Sequence, residues 1–310
     1  MKNLVLNLCA FTLCILCLIG CGNNEPNKAK QQIKTDNNSS PKASVYSKKF
    51  PGWVHATWPK IVSASFEYDN KVPPTAEKWA KGASGKDGIL LSLSHNIDIS
   101  TLKPEHFTVI GKNKTKFKPE IATFSPAEEH FETRAIWLYG LMGNNITNPP
   151  TEIFITGELK SQDGQRFYGE KATIDPINAL PKVVNAEYFT YDDNYPHKAS
   201  GAGCDCPKEN TKWVLQTMWN NKIQSTKGTE LGTADLKKFK VMAWSTDNKL
   251  KAFTPFQFGD LNDDDNFVDL CFKEVFKPVA FEIDANTVMD AWRYANKKQK
   301  VQIKDRFRER

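Results

Sequence analysis

The sequence predicts an all-β chain of two tandem β-sandwiches, and three observations carry that prediction. Short runs of β-branched and aromatic residues recur at sandwich-like spacing, turn residues separate them, and one set of motifs occurs twice in the same order. Long stretches of helical periodicity are absent.

In chain order, the strand-like runs are residues 89–93 (ILLSL), 107–110 (FTVI), 135–139 (AIWLY) and 152–156 (EIFIT). Such residues suit a pleated, half-buried surface. Asp163-Gly164 supplies a hairpin turn, because glycine takes the positive φ that such turns need. The repeat sets 59–64 (PKIVSA) against 181–186 (PKVVNA), and 106–110 (HFTVI) against 238–242 (KFKVM). It also sets 114–119 (KTKFKP) against 249–255 (KLKAFTP), and 124–138 against 258–272. The expected units are therefore a sandwich over 51–178 and a second over 181–303, with a basic tail at 304–310 that reads as solubilising. Residues 234–239 read as a short helical turn and 287–297 as a helix-like stretch.

The first copy resembles the S-layer-type bacterial Ig-like domains. The resemblance rests on the opening from Pro59, on Leu93-Ser94-His95-Asn96-Ile97-Asp98, on Ser100-Thr101-Leu102, and on Phe107-Thr108-Val109. Ile155, Gly157, Leu159, Asp163-Gly164 and Gly169 complete the pattern. It covers about 110 residues and implies an Ig-like sandwich that acts as a spacer or binding module without shared catalytic residues. The second copy lacks the late Asp-Gly hairpin, so its assignment rests on the repeat.

The N-terminus carries Lys2, then an apolar run over 4–19 broken only by Asn7 and Thr12, then Gly20 and Cys21. At roughly 20 apolar residues per spanning helix, this run is too short to cross a membrane and has the layout of an export leader. Leu18-Ile19-Gly20-Cys21 resembles the bacterial lipobox, which implies cleavage before Cys21 and a diacylglycerol on its thiol. The implied anchor fixes the chain to a membrane. Gly22 stands where an aspartate would favour inner-membrane retention, so the outer membrane is the expected address. Residues 22–50 are rich in Asn, Lys, Gln, Ser and Pro and cannot bury enough apolar surface to order themselves. About 28 such residues give a tether with a mean reach of roughly 30 Å.

The net charge of +6 is interleaved along the chain, and the concentrated stripe and motif of a nucleic-acid reader are missing. Asp260, Asn262 and Asp264 have the alternating oxygen spacing of a Ca²⁺ loop. Against that, Asp265 stands at the position usually held by glycine and Cys271 at the position of the bidentate glutamate. The repeat also sets the segment opposite 125–133, an ordinary connection, so a polar turn is the competing reading.

Beyond Cys21, the cysteines downstream of the leader are Cys204, Cys206 and Cys271. An exported protein pairs such thiols, and the favoured pair is Cys206 with Cys271, with Cys204 the alternative partner. A soft-metal site of Cys204, Cys206 and His197 is the competing chemistry. The five histidines are scattered, and no hydrolase elbow, nucleotide loop or metal-binding pair occurs, so no catalytic residue is expected. Trp53, Trp58 and Trp79 lie outside the strand-like runs. They either cover the core and a domain junction or offer aromatic faces to a glycan or protein.

Together these features predict a lipid-anchored, non-catalytic envelope protein that binds an envelope protein or glycan, or acts as a spacer. An immunity-type lipoprotein that inhibits a toxin or hydrolase through a protruding loop near 196–210 is the second reading. A polysaccharide-active enzyme is the third.

Overall fold

Strand alternation organises the first sandwich. The computed structural model describes residues 58–128, 132–191, 205–259 and 265–306. The chain runs through β1 (Ile61–Tyr68), β2 (Asp87–Leu93), β3 (Phe107–Gly111), β4 (Lys116–Phe117), β5 (Ile121–Thr123), β6 (Ala135–Gly140), β7 (Pro150–Ile155) and β8 (Lys171–Thr173). One sheet has the order β1-β2-β6-β5 and the other β4-β3-β7-β8. This is the immunoglobulin-like distribution of strands between two sheets. Ile89, Leu91 and Leu93 point inward from β2, as do Ile136 and Leu138 from β6, and meet Phe107, Val109, Ile153 and Ile155 of the facing sheet. The intervening Leu90, Trp137 and Tyr139 point to the opposite face. The Asp163-Gly164 turn forms with Gly164 at φ +88° and Lys160 paired to Arg166.

The second sandwich comprises β9 (Val183–Thr190), β10 (Trp213–Trp219), β11 (Gln224–Ser225), β12 (Phe239–Trp244), β13 (Leu250–Phe253), β14 (Gln257–Phe258), β15 (Phe267–Phe272), β16 (Lys277–Ile283), β17 (Val288–Met289), β18 (Gln299–Gln302) and β19 (Lys304–Asp305). Its sheets are β14-β15-β10-β9-β19 and β13-β12-β16-β18, with a small β11-β17 ribbon. The order therefore repeats that of the first sandwich, and several registers repeat with it. Val109 opposes Phe117 and Ile153, as Val241 opposes Phe253 and Phe281. Thr123 opposes Trp137 as Gln257 opposes Cys271. Each sandwich also ends by laying its last segment parallel to its first strand: Asp175 against Ser65 in one, Lys304 against Glu187 in the other.

Two local expectations meet different outcomes. Thr233–Lys238 is a short 3-10 helix where a helical turn was expected. Residues 287–297 are not helical. Val288 and Met289 pair with β11, and Asn296 accepts the backbone N–H groups of Thr287 and Val288 through Oδ1 at 2.8 and 2.9 Å. An asparagine side chain that satisfies backbone donors offers an alternative to helical bonding, and here it holds a turn. The basic C-terminal segment likewise does not begin as a solvated tail, since β19 pairs with β9 and Arg306 is 5 % exposed.

The outer face of β1-β2-β6-β5 is also covered. An insertion between β1 and β2, containing the 3-10 helix Pro74–Lys78, lays Val72, Ala76, Ala80 and Ala83 over Leu90, Trp137 and Tyr139. Glu77 closes the insertion by accepting the N–H groups of Gly82 and Ser84, both at 2.9 Å. The same apolar cluster includes Met218 of β10 and Phe267 of β15, so the two sandwiches share a core at their contact. Both belong to one compact unit.

Candidate functional site

The joint between the sandwiches is built around a buried charge cluster. Alternation along β9 and β10 turns Glu187 and Gln216 away from the second core and toward the first sandwich. Arg134, in the turn just before β6, reaches across and donates from Nη1 to both Glu187 carboxylate oxygens at 3.1 Å. Its Nη2 donates to Gln216 Oε1 at 3.1 Å. Arg306, following β19, donates from Nε to Glu187 Oε2 at 3.1 Å and from Nη2 to the same Gln216 oxygen. Asn185 Nδ2 adds a 2.6 Å bond to Glu187. Burial by itself would raise the Glu187 pKa, but the two guanidiniums overcome that and hold the carboxyl well below the usual carboxylate range. The guanidinium carbons of both arginines also lie over aromatic rings, Arg134 over Phe267 at 5.7 Å from its centroid and Arg306 over Phe189 at 4.4 Å.

A second group of polar contacts joins the sandwiches beside β1. Asn221 Nδ2 donates to Glu67 Oε1 at 2.7 Å, and Trp292 Nε1 donates to the Glu67 carbonyl oxygen at 2.7 Å. Burial, followed by the charge of Asp290, pushes the Glu67 carboxyl well above its ordinary pKa. Burial likewise raises Asp290. Asn266 bridges further along, donating to the Trp219 carbonyl oxygen at 2.7 Å and to Ser92 Oγ at 3.4 Å.

The far end of the same outer sheet face carries the disulfide. Cys206 and Cys271 are bonded, with Cα atoms 5.6 Å apart. Cys271 points outward from β15 while Leu270 and Phe272 point into the core. The staple closes a small apolar cluster of Phe189, Tyr191, Cys206, Val214 and Cys271, with Phe256 packed against it. Tyr191 Oη donates to the Cys206 carbonyl oxygen at 2.7 Å. Cys21, Cys204, His197 and the Asp260, Asn262 and Asp264 set lie outside the described residues.

One face of the second sandwich is open to solvent. On the outer side of β13-β12-β16-β18, Trp244 and Leu250 stand opposite each other at 45 % and 49 % exposure. Met242 is half-buried beside them, and Lys240, Glu282 and Lys300 line the adjoining part of the face. An exposed apolar pair therefore stands beside charged residues on this sheet face. Trp79 lies in the shared cluster at the joint, Trp58 is exposed, and Trp53 lies outside the described residues. The sequence reading missed Trp244, whose only signal was its place at the end of the outward positions of β12. It also missed the Arg134–Glu187–Arg306 cluster, whose members lie 53 and 119 residues apart.

The fold and the joint together define a two-sandwich all-β protein. No protein-family model matches the chain, and no curated protein matches it. Solved structures similar to it include the N-terminal part of the bacterial S-layer protein SbsC, at 12% identity and TM-score 0.28 over 81% of this chain and 45% of that one. Domains 1-6 of surface layer protein SbsC align at 11% identity and TM-score 0.27, over 81% of this chain and 26% of that chain. The S-layer protein fragment rSbsC(31-844) aligns at 11% identity and TM-score 0.28, over 80% and 41%. The chain spans less than half of each of these structures, and at such TM-scores the likeness carries no argument.

Proposed function

We propose that this chain is a lipid-tethered cell-envelope protein whose two fused Ig-like sandwiches form a non-catalytic binding or spacer module. The observation that carries the reading is the joint: a shared apolar cluster and the buried Arg134–Glu187–Arg306 set make two sandwiches into one block. A block of this kind holds the outer faces of the two sandwiches in a fixed relation to one another, which a hinged pair would not. The Cys206–Cys271 bond supports export, since disulfides persist in oxidising compartments. The leader ending at Cys21 and the polar tether over 22–50 supply attachment and reach, with the outer membrane as the address. The Trp244 and Leu250 face is where an envelope protein or glycan docks.

Metabolic labelling with palmitate tests the anchor. The wild-type chain incorporates label and fractionates with membranes, and Cys21→Ala incorporates none and is not processed at that position. Equal labelling of the two refutes the anchored reading. Retention of envelope proteins or purified glycans on the wild-type chain, and its loss in Trp244→Ala, identifies the docking face. Equal retention by both chains removes that face from the reading and leaves the spacer role.

A further inference from the structure

Three buried oxygens that accept no hydrogen bond belong to residues joined by one chain of hydrogen bonds where the sandwiches meet beside β1. Glu67, Asn221 and Asp290 are 1 %, 2 % and 0 % exposed. Glu67 belongs to the first sandwich, whereas Asn221 follows β10 and Asp290 follows β17 in the second. Asn221 spends Nδ2 on Glu67 Oε1, which leaves Asn221 Oδ1 and Glu67 Oε2 without partners. Asp290 Oδ1 accepts the N–H groups of Trp292 and Tyr294 at 2.9 Å each, which leaves Asp290 Oδ2 without one. Trp292 links the two residues, because its amide donates to the Asp290 carboxylate while its indole Nε1 donates to the main-chain carbonyl oxygen of Glu67. Ser65, two residues back on the same face of β1, contributes another buried oxygen with no hydrogen bond.

The hydrogen bonds among these residues leave one side-chain oxygen of each unused. Buried polar groups are normally paired, and buried charges are paired or bind metal. Here two carboxyl groups and an amide oxygen, from three separate segments, keep lone pairs unused within one hydrogen-bonded group. Asp175 adds like charge near Glu67, and Lys222 opposes it. Carboxylate and amide oxygens are the ligands that a hard divalent cation selects, and two carboxylates balance its charge.

We propose that Glu67, Asn221 and Asp290 form a site for a hard divalent cation of the Ca²⁺ kind that bridges the two sandwiches. These residues are not those of the calcium-loop spacing at Asp260, Asn262 and Asp264, and the proposal does not depend on lipidation or on the docking face. Its consequence is a joint whose rigidity follows the cation supply.

Terbium, a luminescent stand-in for Ca²⁺, tests the proposal on the full-length chain purified in detergent and stripped with EDTA. Tryptophan excitation should yield sensitised terbium emission through the adjacent Trp292, and Ca²⁺ should displace it. Glu67→Gln and Asp290→Asn should each weaken binding by roughly 10-fold or more. Ca²⁺ should also raise the melting temperature of the wild type, because a ligand of the folded state stabilises it, and Glu67→Gln should remove that rise. Far-UV circular dichroism verifies that the variants fold, and the wild-type melting shift stands even if one does not. Three outcomes overturn the proposal: neither emission nor a melting shift from the wild-type protein; emission unchanged in Glu67→Gln; or emission lost in Asp260→Asn with Asp264→Asn but retained in Glu67→Gln, which puts the ion in the acidic segment.

Discussion

Replacing Glu187 by glutamine keeps the shape of the side chain and removes its charge, and the joint should respond strongly. In the folded chain the carboxylate accepts from Arg134 Nη1, Arg306 Nε and Asn185 Nδ2, at 3.1, 3.1 and 2.6 Å. Both arginines are buried, so the substitution removes the carboxylate that the two guanidiniums share. Removing one partner of a buried charge cluster typically costs about 3–5 kcal/mol. At 2–4 °C per kcal/mol for a chain of this size, that is a fall of roughly 10 °C in melting temperature. Chemical denaturation monitored by tryptophan fluorescence measures the free energy directly. The pH dependence adds a second signature. Because the folded pKa lies below the unfolded one, the contribution is fully present above about pH 4.3, the unfolded glutamate value. It is lost as pH falls below that toward the folded value. Wild type should therefore lose stability below about pH 4 more steeply than Glu187→Gln. A cost under about 1 kcal/mol together with parallel acid limbs would show that the cluster is not what fixes the joint.

Two further expectations concern the frame. Removing the disulfide with Cys206→Ser and Cys271→Ser together should cost up to about 4 kcal/mol in the chain-entropy model, given the sequence separation of 65 residues. The wild type under reductant should match the double variant, and identical denaturation with and without reductant would mean that the staple adds nothing. Phe239→Ala removes a fully buried ring packed edge-on against Phe258, with centroids 5.3 Å apart, and should cost about 3–5 kcal/mol. Phe107→Ala, at the corresponding position of the first sandwich, should cost a similar amount, and a difference beyond about 2 kcal/mol would argue against equivalent cores.

Local chemistry made much of the architecture readable without coordinates. The β-branched runs at 107–110 and 135–139 can bury one face only as strands, and their inward and outward sides follow from the two-residue period. The matching motifs at Phe107 and Phe239, and at Phe117 and Phe253, mark the same inward positions, so a repeated sequence brought a repeated register. The outward position of Cys271 and the loop context of Cys204 and Cys206 pointed to a staple, and the structure pairs Cys271 with Cys206. Residues 287–297 misled, because the asparagine that holds their turn does so through bonds that periodicity does not encode.

The sequence by itself determined the strands and the order in which their motifs recur, because each depends on contacts within or between neighbouring segments. Only the tertiary structure decided how the two sandwiches join. Arg134, Glu187 and Arg306 look like surface charges when read in line, as do Glu67 and Asp290. They become buried because β1, β9, β10 and β15 turn their outer faces toward one another or toward covering loops. Burial then changes what a charge means. In water these groups would be solvated singly, whereas inside the joint each requires a partner, and that requirement fixes the geometry.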